Sequence, residues 1–152
     1  MEKRFKYQSY LDKYKNCPKD CEENDLIAFR WVHETPVDLD FCPILMRSDI
    51  PPRVVDNEDI MCTGYALSLF KDLPAAITSY MKSFNRIDRP TKLKRFKNEK
   101  GTFTAKVIIT KNDGVSDSSK EDGHFNFFEY EDCNLLKSIS EKFDNFAKYG
   151  TS

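Results

Sequence analysis

Four short stretches of the chain have the composition and the alternation of β-strands. They are rich in β-branched and aromatic residues, and apolar positions tend to recur at every second residue. The predicted strands are Asp25–His33, Cys62–Phe70, Phe103–Lys111 and His124–Glu131. A polar, glycine-containing loop precedes the last of them and is suited to closing a hairpin onto it. These strands predict a small sheet.

Three other stretches have the spacing of amphipathic helices. Residues 3–15 carry an imperfect apolar stripe that stops at "NCPKDC". Asp72 is placed to cap a second helix, whose first turn holds Pro74, where the missing N–H costs little. Asp132 is placed to cap a last helix. The apolar stripe of that helix is formed by Leu135, Leu136, Ile139, Phe143 and Phe146.

Two longer segments show neither period. Residues 34–59 include four prolines between Pro36 and Pro52, which is incompatible with a regular helix or a central strand and typical of a lid or binding loop. The charged stretch 86–101 is interpreted as a connector. Because strands and helices do not alternate regularly, we expect an α+β fold with a small, mainly antiparallel or mixed sheet flanked by helices. The length of 152 residues predicts one domain, 1–152, with its core at about 25–148.

Charge and cysteine content narrow the class of protein. The 24 basic and 25 acidic side chains nearly cancel, whereas a dedicated DNA-binding domain usually has a basic surplus. No stretch approaches the roughly 20 consecutive apolar residues of a membrane span, and the start, "MEKRFKYQSY", lacks the apolar core of a secretory signal. The five cysteines are odd in number and irregularly spaced. We therefore expect free thiols and a cytoplasmic protein without membrane association.

Several sets of reactive residues have weak spacing for the site that each would form. One set is Cys17, Cys21, His33 and Cys42. It contains a single short pair, whereas structural zinc sites usually have two, so no metal is expected. Ser68 does not lie in a G-x-S-x-G motif, and no hydrolase signature is present. The stretch from Arg86 to Lys97 combines cations with Phe96, which is typical of single-stranded nucleic-acid binding and also of a solvated loop. The loop interpretation is preferred.

A further set is spread over three predicted strands. Arg30 lies among apolar residues in mid-strand, where a cation is costly unless it meets an anion. Glu129 and Glu131 share one face of the last strand, and His124 lies on the other. We expect Arg30, Ser68 and one of these three to face a common cleft, covered in part by the proline-rich segment. The alternative is structural: Arg30 pairs with Glu129 across strands, and Ser68 satisfies a backbone group.

The chain has an early arginine, a serine strand that runs into an alanine-containing helix, and a late acidic strand. This order resembles the arginine–serine–glutamate layout of the ADP-ribosyltransferase fold. The closest local match is "YALSLFKDLPAAITSYM". The chain is also similar to small uncharacterised bacterial domains with an "LS-x-F" strand and a late "GH". It departs from the family in having Ala66-Leu67-Ser68 where the serine strand commonly reads Ser-Thr-Ser. Glu129 and Glu131 have the spacing of the family's acidic signature.

The resemblance implies an ADP-ribosyltransferase or an NAD glycohydrolase, with NAD as co-substrate. Glu129 or Glu131 would stabilise the positive charge that develops as nicotinamide leaves, and His124 is a further catalytic candidate. The residues implied to bind NAD are Arg30 at the pyrophosphate, Ser68 at the nicotinamide ribose, and Tyr65 or Phe70 on the nicotinamide ring. Such an enzyme would be a bacterial toxin or conflict-system effector with an unknown acceptor. The alternative is a non-enzymatic protein-interaction module, of the accessory or immunity type, on a similar scaffold.

Overall fold

The computed structural model describes residues 3–48 and 55–147 and has the predicted α+β class. Its strands are β1 (Leu26–Val32), β2 (Leu67–Phe70), β3 (Phe103–Ile109), β4 (Gly114–Ser116), β5 (His124–Glu129) and β6 (Ile139–Asp144). Its α-helices are α1 (Gln8–Leu11), α2 (Glu58–Thr63), α3 (Leu73–Asn85) and α4 (Pro90–Lys100). Three short 3-10 helices span Asp38–Phe41, Ile44–Met46 and Leu135–Ser138. None of the helices in the described ranges is long and apolar enough to cross a membrane.

The strands form one antiparallel sheet in the order β4-β5-β2-β1-β3-β6. Strand β1 pairs with β3 along its whole length, from Leu26 opposite Ile109 to Val32 opposite Phe103. It pairs with β2 at a single position, Phe29 opposite Phe70. Beyond that position, β1 and β2 are therefore not paired with each other in the middle of the sheet.

The two faces of the sheet bury different apolar groups. The larger core contains Ala28 and Val32 of β1, and it is closed by Phe41 and Leu135 from the 3-10 helices. The other face carries Phe29 and Phe70, which α3 covers through the fully buried Ala76. Arg30 lies on the same face as its alternate neighbours Ala28 and Val32, so the chain places a cation at the edge of the larger core.

Helix α3 forms as the sequence predicts. The Asp72 carboxylate accepts a hydrogen bond from the Ala75 N–H at 2.8 Å, and Pro74 lies in the first turn. The buried face includes Tyr80, which is completely inaccessible to solvent and donates its hydroxyl to the carbonyl oxygen of Gly101 at 2.7 Å. This bond fixes α3 to the end of α4, because Gly101 is the residue at which α4 stops, with a φ of 75° that favours glycine.

Three element predictions near the middle and start of the chain are wrong in part. The strand predicted from Cys62 begins only at Leu67, because the Asn57 side chain caps Ile60 and starts the short helix α2. The connector predicted at 86–101 contains α4, which begins with Pro90 in its first turn. In the N-terminal segment 3–15 only Gln8–Leu11 is α-helical.

The helix predicted after Asp132 is wrong. Leu135–Ser138 is a 3-10 helix, and Ile139–Asp144 is strand β6, paired with β3. A register shift at Lys106 and Val107 directs Ile139 toward the larger core and Phe143 toward the opposite face. Residues that fit one side of a helix are thus divided between two sides of a sheet. The predicted hairpin loop contains β4, so β5 pairs with β4 and β2 and not with β3.

The expectation of free thiols is wrong for two of the five cysteines. Cys17 and Cys62 form a disulfide, with their Cα atoms 5.8 Å apart, which joins the N-terminal segment to α2. Disulfides persist mainly in oxidising compartments. The cysteine content therefore no longer supports the expected cytoplasmic location.

Candidate ligand-binding site

A cavity of about 370 Å³ opens where β1 and β2 separate. Its walls come from both strands, the Ile44–Met46 turn, α2 and the last turn of α4. The N–H of Leu45 donates to the carbonyl oxygen of Gly64 at 3.1 Å, which joins the Ile44–Met46 turn to the end of α2. Part of the proline-rich segment thus lines the cavity, from Asp40 to Arg47. Pro51 and Pro52 of the predicted lid lie outside the described residues.

The Arg30 guanidinium bridges the gap between the strands. Its Nε donates to the main-chain oxygen of Asp40 at 2.6 Å, and its Nη1 donates to the main-chain oxygen of Ser68 at 2.8 Å. Burial lowers the pKa of Arg30 to about 10, which leaves it cationic at neutral pH. The cavity wall therefore holds a positive charge whose hydrogen-bond partners in the protein are neutral carbonyl groups.

Both oxygens of the Asp40 carboxylate interact with other groups of the protein. Its Oδ1 lies 2.6 Å from His33 Nδ1, and its Oδ2 accepts from the Val37 N–H at 3.0 Å. The other ring nitrogen of His33 lies 2.7 Å from the main-chain oxygen of Asn98 in α4. His33 thus connects the Asp38–Phe41 turn to α4 and stabilises two walls of the cavity.

Two aromatic rings give the cavity an apolar side. Trp31 stacks on Phe70, with ring centroids 5.6 Å apart and an interplanar angle of 26°. The indole N–H of Trp31 donates to the main-chain oxygen of Ala76 at 2.9 Å, so α3 fixes the ring. Ser68 is exposed and lies opposite Asn126 of β5, whose amide donates to Asp117 at 2.8 Å. Ser68 and Asn126 supply polar groups to the same cavity.

Among the described residues that line the cavity, three are cations and two are carboxylates. Arg30, Arg47 and Lys100 line it together with Asp40 and Glu99. Arg47 donates to the main-chain oxygen of Glu99 at 3.1 Å, which holds its guanidinium at the wall. Within the described lining, the cations therefore exceed the carboxylates by one.

The structure brings together three of the predicted site residues and separates the others. Arg30, Ser68 and Phe70 line the cavity. Tyr65 packs against Tyr10 and Tyr14 and does not line the cavity.

The last-strand candidates do not line this cavity. His124 lies edge-on to Phe70, with centroids 5.9 Å apart, and burial lowers its pKa. Glu131 is exposed, and its N–H donates to the main-chain oxygen of Arg4. The predicted cross-strand pair of Arg30 with Glu129 is not formed, because β2 lies between β1 and β5.

Glu129 lines a separate cavity of about 420 Å³, together with Lys6, Tyr7 and Cys133. Its side chain is 2% exposed, and Oε2 accepts from the Lys6 ammonium at 2.8 Å. Oε1 is buried with no N–H or O–H donor in the described part of the chain, beside the weakly donating thiol of Cys133. Burial raises the pKa of Glu129 despite the neighbouring Lys6.

Sequence reasoning missed Trp31, Arg47, Asn126 and the end of α4 as cavity residues. Trp31 is adjacent to Arg30, and Arg47 lies in the segment predicted as a lid, so the sequence held a weak signal for these two. No periodicity places the end of α4 or Asn126 beside them. The pairing of β2 with β5 places Asn126 there, and the hydrogen bonds to Asn98 and Gly101 hold the end of α4.

No group of three or more potential metal ligands converges in the ranges 3–48 and 55–147. Of the cysteine–histidine set, Cys17 is in the disulfide and His33 binds Asp40. Comparisons with models of protein families, with curated protein sequences and with solved structures find no match to this chain.

Proposed function

We propose that the protein binds a small organic anion with a flat or apolar body in the cavity between β1 and β2. NAD and its nicotinamide mononucleotide half are the ligands to test first, because the sequence resemblance implies NAD. The proposal depends mainly on the hydrogen bonding of the Arg30 guanidinium. A guanidinium has five N–H donors, and two of those of Arg30 bind protein carbonyl groups.

The remaining donors of Arg30 suit an anionic oxygen. No carboxylate in the described ranges pairs directly with Arg30, although Glu129 and Asp40 are close enough to raise its pKa against the effect of burial. A half-buried cation without a paired anion is costly. A phosphate or carboxylate group in the cavity would offset that cost through charge-assisted hydrogen bonds.

The size and lining of the cavity support a ligand of mononucleotide size. Ligand pockets span about 300–1,000 Å³, so a cavity of about 370 Å³ suits a small ligand or one half of a dinucleotide. The aromatic and aliphatic lining offers Phe70, Ile44 and Met61 to an apolar body. Ser68 and Asn126 provide polar groups for a sugar or amide.

The geometry favours ligand binding over catalytic turnover as the function. ADP-ribosyl transfer needs a carboxylate near the ribose that loses nicotinamide. Glu129 lies in the other cavity, and both oxygens of Asp40 are engaged by the protein. Among the described residues that line the cavity, Glu99 is the remaining carboxylate. Transferase or glycohydrolase chemistry would therefore require Glu99 in the role first assigned to Glu129 or Glu131.

Methionine in place of Arg30 is expected to weaken binding of NAD or nicotinamide mononucleotide by about 10- to 100-fold, because a charged hydrogen bond contributes roughly 1.5–3 kcal/mol. Isothermal titration calorimetry measures the affinity, and circular dichroism checks the fold. Glu131→Gln is the control and should leave the affinity within about 2-fold, since Glu131 is exposed and does not line this cavity.

A second variant keeps the test valid if Arg30→Met does not fold. Arg30→Lys keeps the charge but cannot bridge both carbonyl groups, so it should retain part of the affinity. If NAD, the mononucleotide, AMP and inorganic phosphate all fail to bind at millimolar concentration, the proposal is overturned. Nicotinamide release measured on the same samples, lost in Glu99→Gln and kept in Glu129→Gln, would add turnover to binding.

The alternative function, a protein-interaction module, is supported by two exposed apolar residues of the same cavity. Ile44 and Ile60 line it and are 44% and 50% exposed. Serine at both positions should abolish capture of a protein partner while reducing small-anion affinity by less than about 10-fold, because neither residue carries charge. Pull-down and calorimetry on this variant separate the two functions.

A further inference from the structure

Seven exposed cations are concentrated in one part of the chain, the end of α3 and most of α4. They are Lys82, Arg86, Arg89, Lys92, Lys94, Arg95 and Lys97. Asp88 is the one carboxylate between residues 82 and 97, whereas the chain as a whole has a net charge of −1. None of the seven forms an ion pair with another residue in the described ranges. We call these seven residues the basic face.

The basic face rests on a rigid aromatic support. Phe96, on the inner side of α4, contacts Trp31, Tyr80 and Phe84 with ring centroids 5.1–6.4 Å apart. The connector expected from the sequence would have placed the same cations on a loop. Four of the seven, Lys92, Lys94, Arg95 and Lys97, lie on the packed helix α4, so their backbone positions are fixed before any partner arrives, which lowers the entropy cost of binding.

An exposed aromatic ring adjoins the basic face. Phe146 is 42% exposed, although it contacts Tyr80 and Phe84 at centroid distances of 5.8 and 5.0 Å. The Lys97 ammonium lies 5.6 Å from the centroid of the Phe146 ring. A ring held beside Lys97 can stack a base while Lys97 and the other cations of the segment contact the adjoining phosphates.

From this arrangement we propose that the basic face and Phe146 form a binding surface for single-stranded nucleic acid. The cations supply phosphate contacts without sequence preference, and Phe146 supplies the stacking surface that distinguishes an unpaired base from a duplex. An acidic peptide would satisfy the cations but would leave Phe146 unused. The surface is separate from the cation of the β1–β2 cavity, so it does not depend on the proposed small-anion site.

The test is fluorescence anisotropy with labelled oligothymidine, oligouridine and a DNA duplex over a salt series. The double variant Lys92→Glu, Arg95→Glu should bind oligothymidine at least about 10-fold more weakly. Its plot of log affinity against log salt should flatten by about 1.4, because each phosphate contact with a single strand contributes about 0.7. The matched control is Lys15→Glu, Lys137→Glu, which changes the net charge equally at exposed positions elsewhere and should bind within about 3-fold of the unmodified protein.

Phe146→Leu tests the stacking contact separately. It keeps an apolar side chain against Phe84 and should weaken single-strand binding by about 5-fold or more, with duplex binding unchanged. Circular dichroism confirms that each variant is folded. Equal weakening by the basic-face variant and its control, duplex binding as tight as single-strand binding, or equal displacement by polyglutamate would each overturn the proposal. Arg30→Met should leave oligothymidine binding unchanged.

Discussion

Serine in place of both Cys17 and Cys62 is expected to lower the free energy of unfolding by about 4 kcal/mol in the absence of reductant. The disulfide links residues that are 45 positions apart, and closing a loop of that length removes about this much entropy from the unfolded chain. It also secures α2, which at six residues is too short to persist without tertiary support. Since α2 lines the cavity between β1 and β2, its loss should weaken ligand binding as well.

Urea unfolding with and without reductant measures this effect. Reductant should lower the stability of the unmodified protein to that of the double variant and leave the variant unchanged. Cys21→Ser is the control, because that thiol donates only to the main-chain oxygen of Lys19, at 3.3 Å, and it should cost less than about 1 kcal/mol. If the double variant and the unmodified protein unfold alike without reductant, the disulfide does not contribute to stability.

Methionine in place of Lys6 is expected to lower the free energy of unfolding by about 3 kcal/mol at neutral pH. Glu129 is 2% exposed, and the Lys6 ammonium is the cation that binds it. Removing one partner of a buried ion pair costs about 3–5 kcal/mol, because the other charge is left buried. The lower end applies here, since the Lys6 side chain is 29% exposed and partly screened by solvent.

This destabilisation should depend on pH in a defined direction. Burial raises the pKa of Glu129 in the folded state, so the stability linked to its protonation is full below the unfolded pKa of about 4.3 and is lost as the pH rises through the folded pKa. Lys6→Met raises that folded pKa further. The deficit relative to the unmodified protein should therefore be small near pH 4 and largest at neutral pH.

Urea midpoints over a pH series check this dependence. The double variant Lys6→Met, Glu129→Gln is the control, since it removes the buried charge together with its partner, and it should recover a large part of the lost stability. A deficit of equal size at acidic and neutral pH would mean that Lys6 stabilises the fold through packing alone.

Local signals in the sequence predicted the elements whose residues satisfy one another within the same segment. Helix α3 has its Asp72 cap and its apolar face within one stretch of chain, and β3 has a regular alternation from Phe103 to Ile109. Elements that depend on a distant partner were predicted less well. The apolar residues of β6 fit a helix until β3 supplies a strand to pair with, and the register shift beside Val107 hides the alternation.

The candidate site shows the same limit. A mid-strand cation was correctly singled out as requiring a partner, but the partners of Arg30 are the main-chain oxygens of Asp40 and Ser68. Every residue has a main-chain oxygen, so the sequence does not indicate which of these oxygens accepts the bond. The bridge between Phe5 and Tyr130 then places Glu129 beside Lys6, a residue that no sequence pattern connects with it. Pairing of Cys17 with Cys62 was equally hidden, because spacing alone does not determine connectivity.

Because β1 and β2 are paired at a single position, the sheet consists of two three-stranded halves. Where main-chain hydrogen bonds would normally continue, the Arg30 side chain spans from the Asp38–Phe41 turn to β2. The Arg30 side chain therefore joins the two halves in addition to the packing of Phe29 and Phe70 beneath α3. Arginine at position 30 takes the place of main-chain hydrogen bonds that the sheet lacks, and a lysine there would keep the charge without bridging both carbonyl groups.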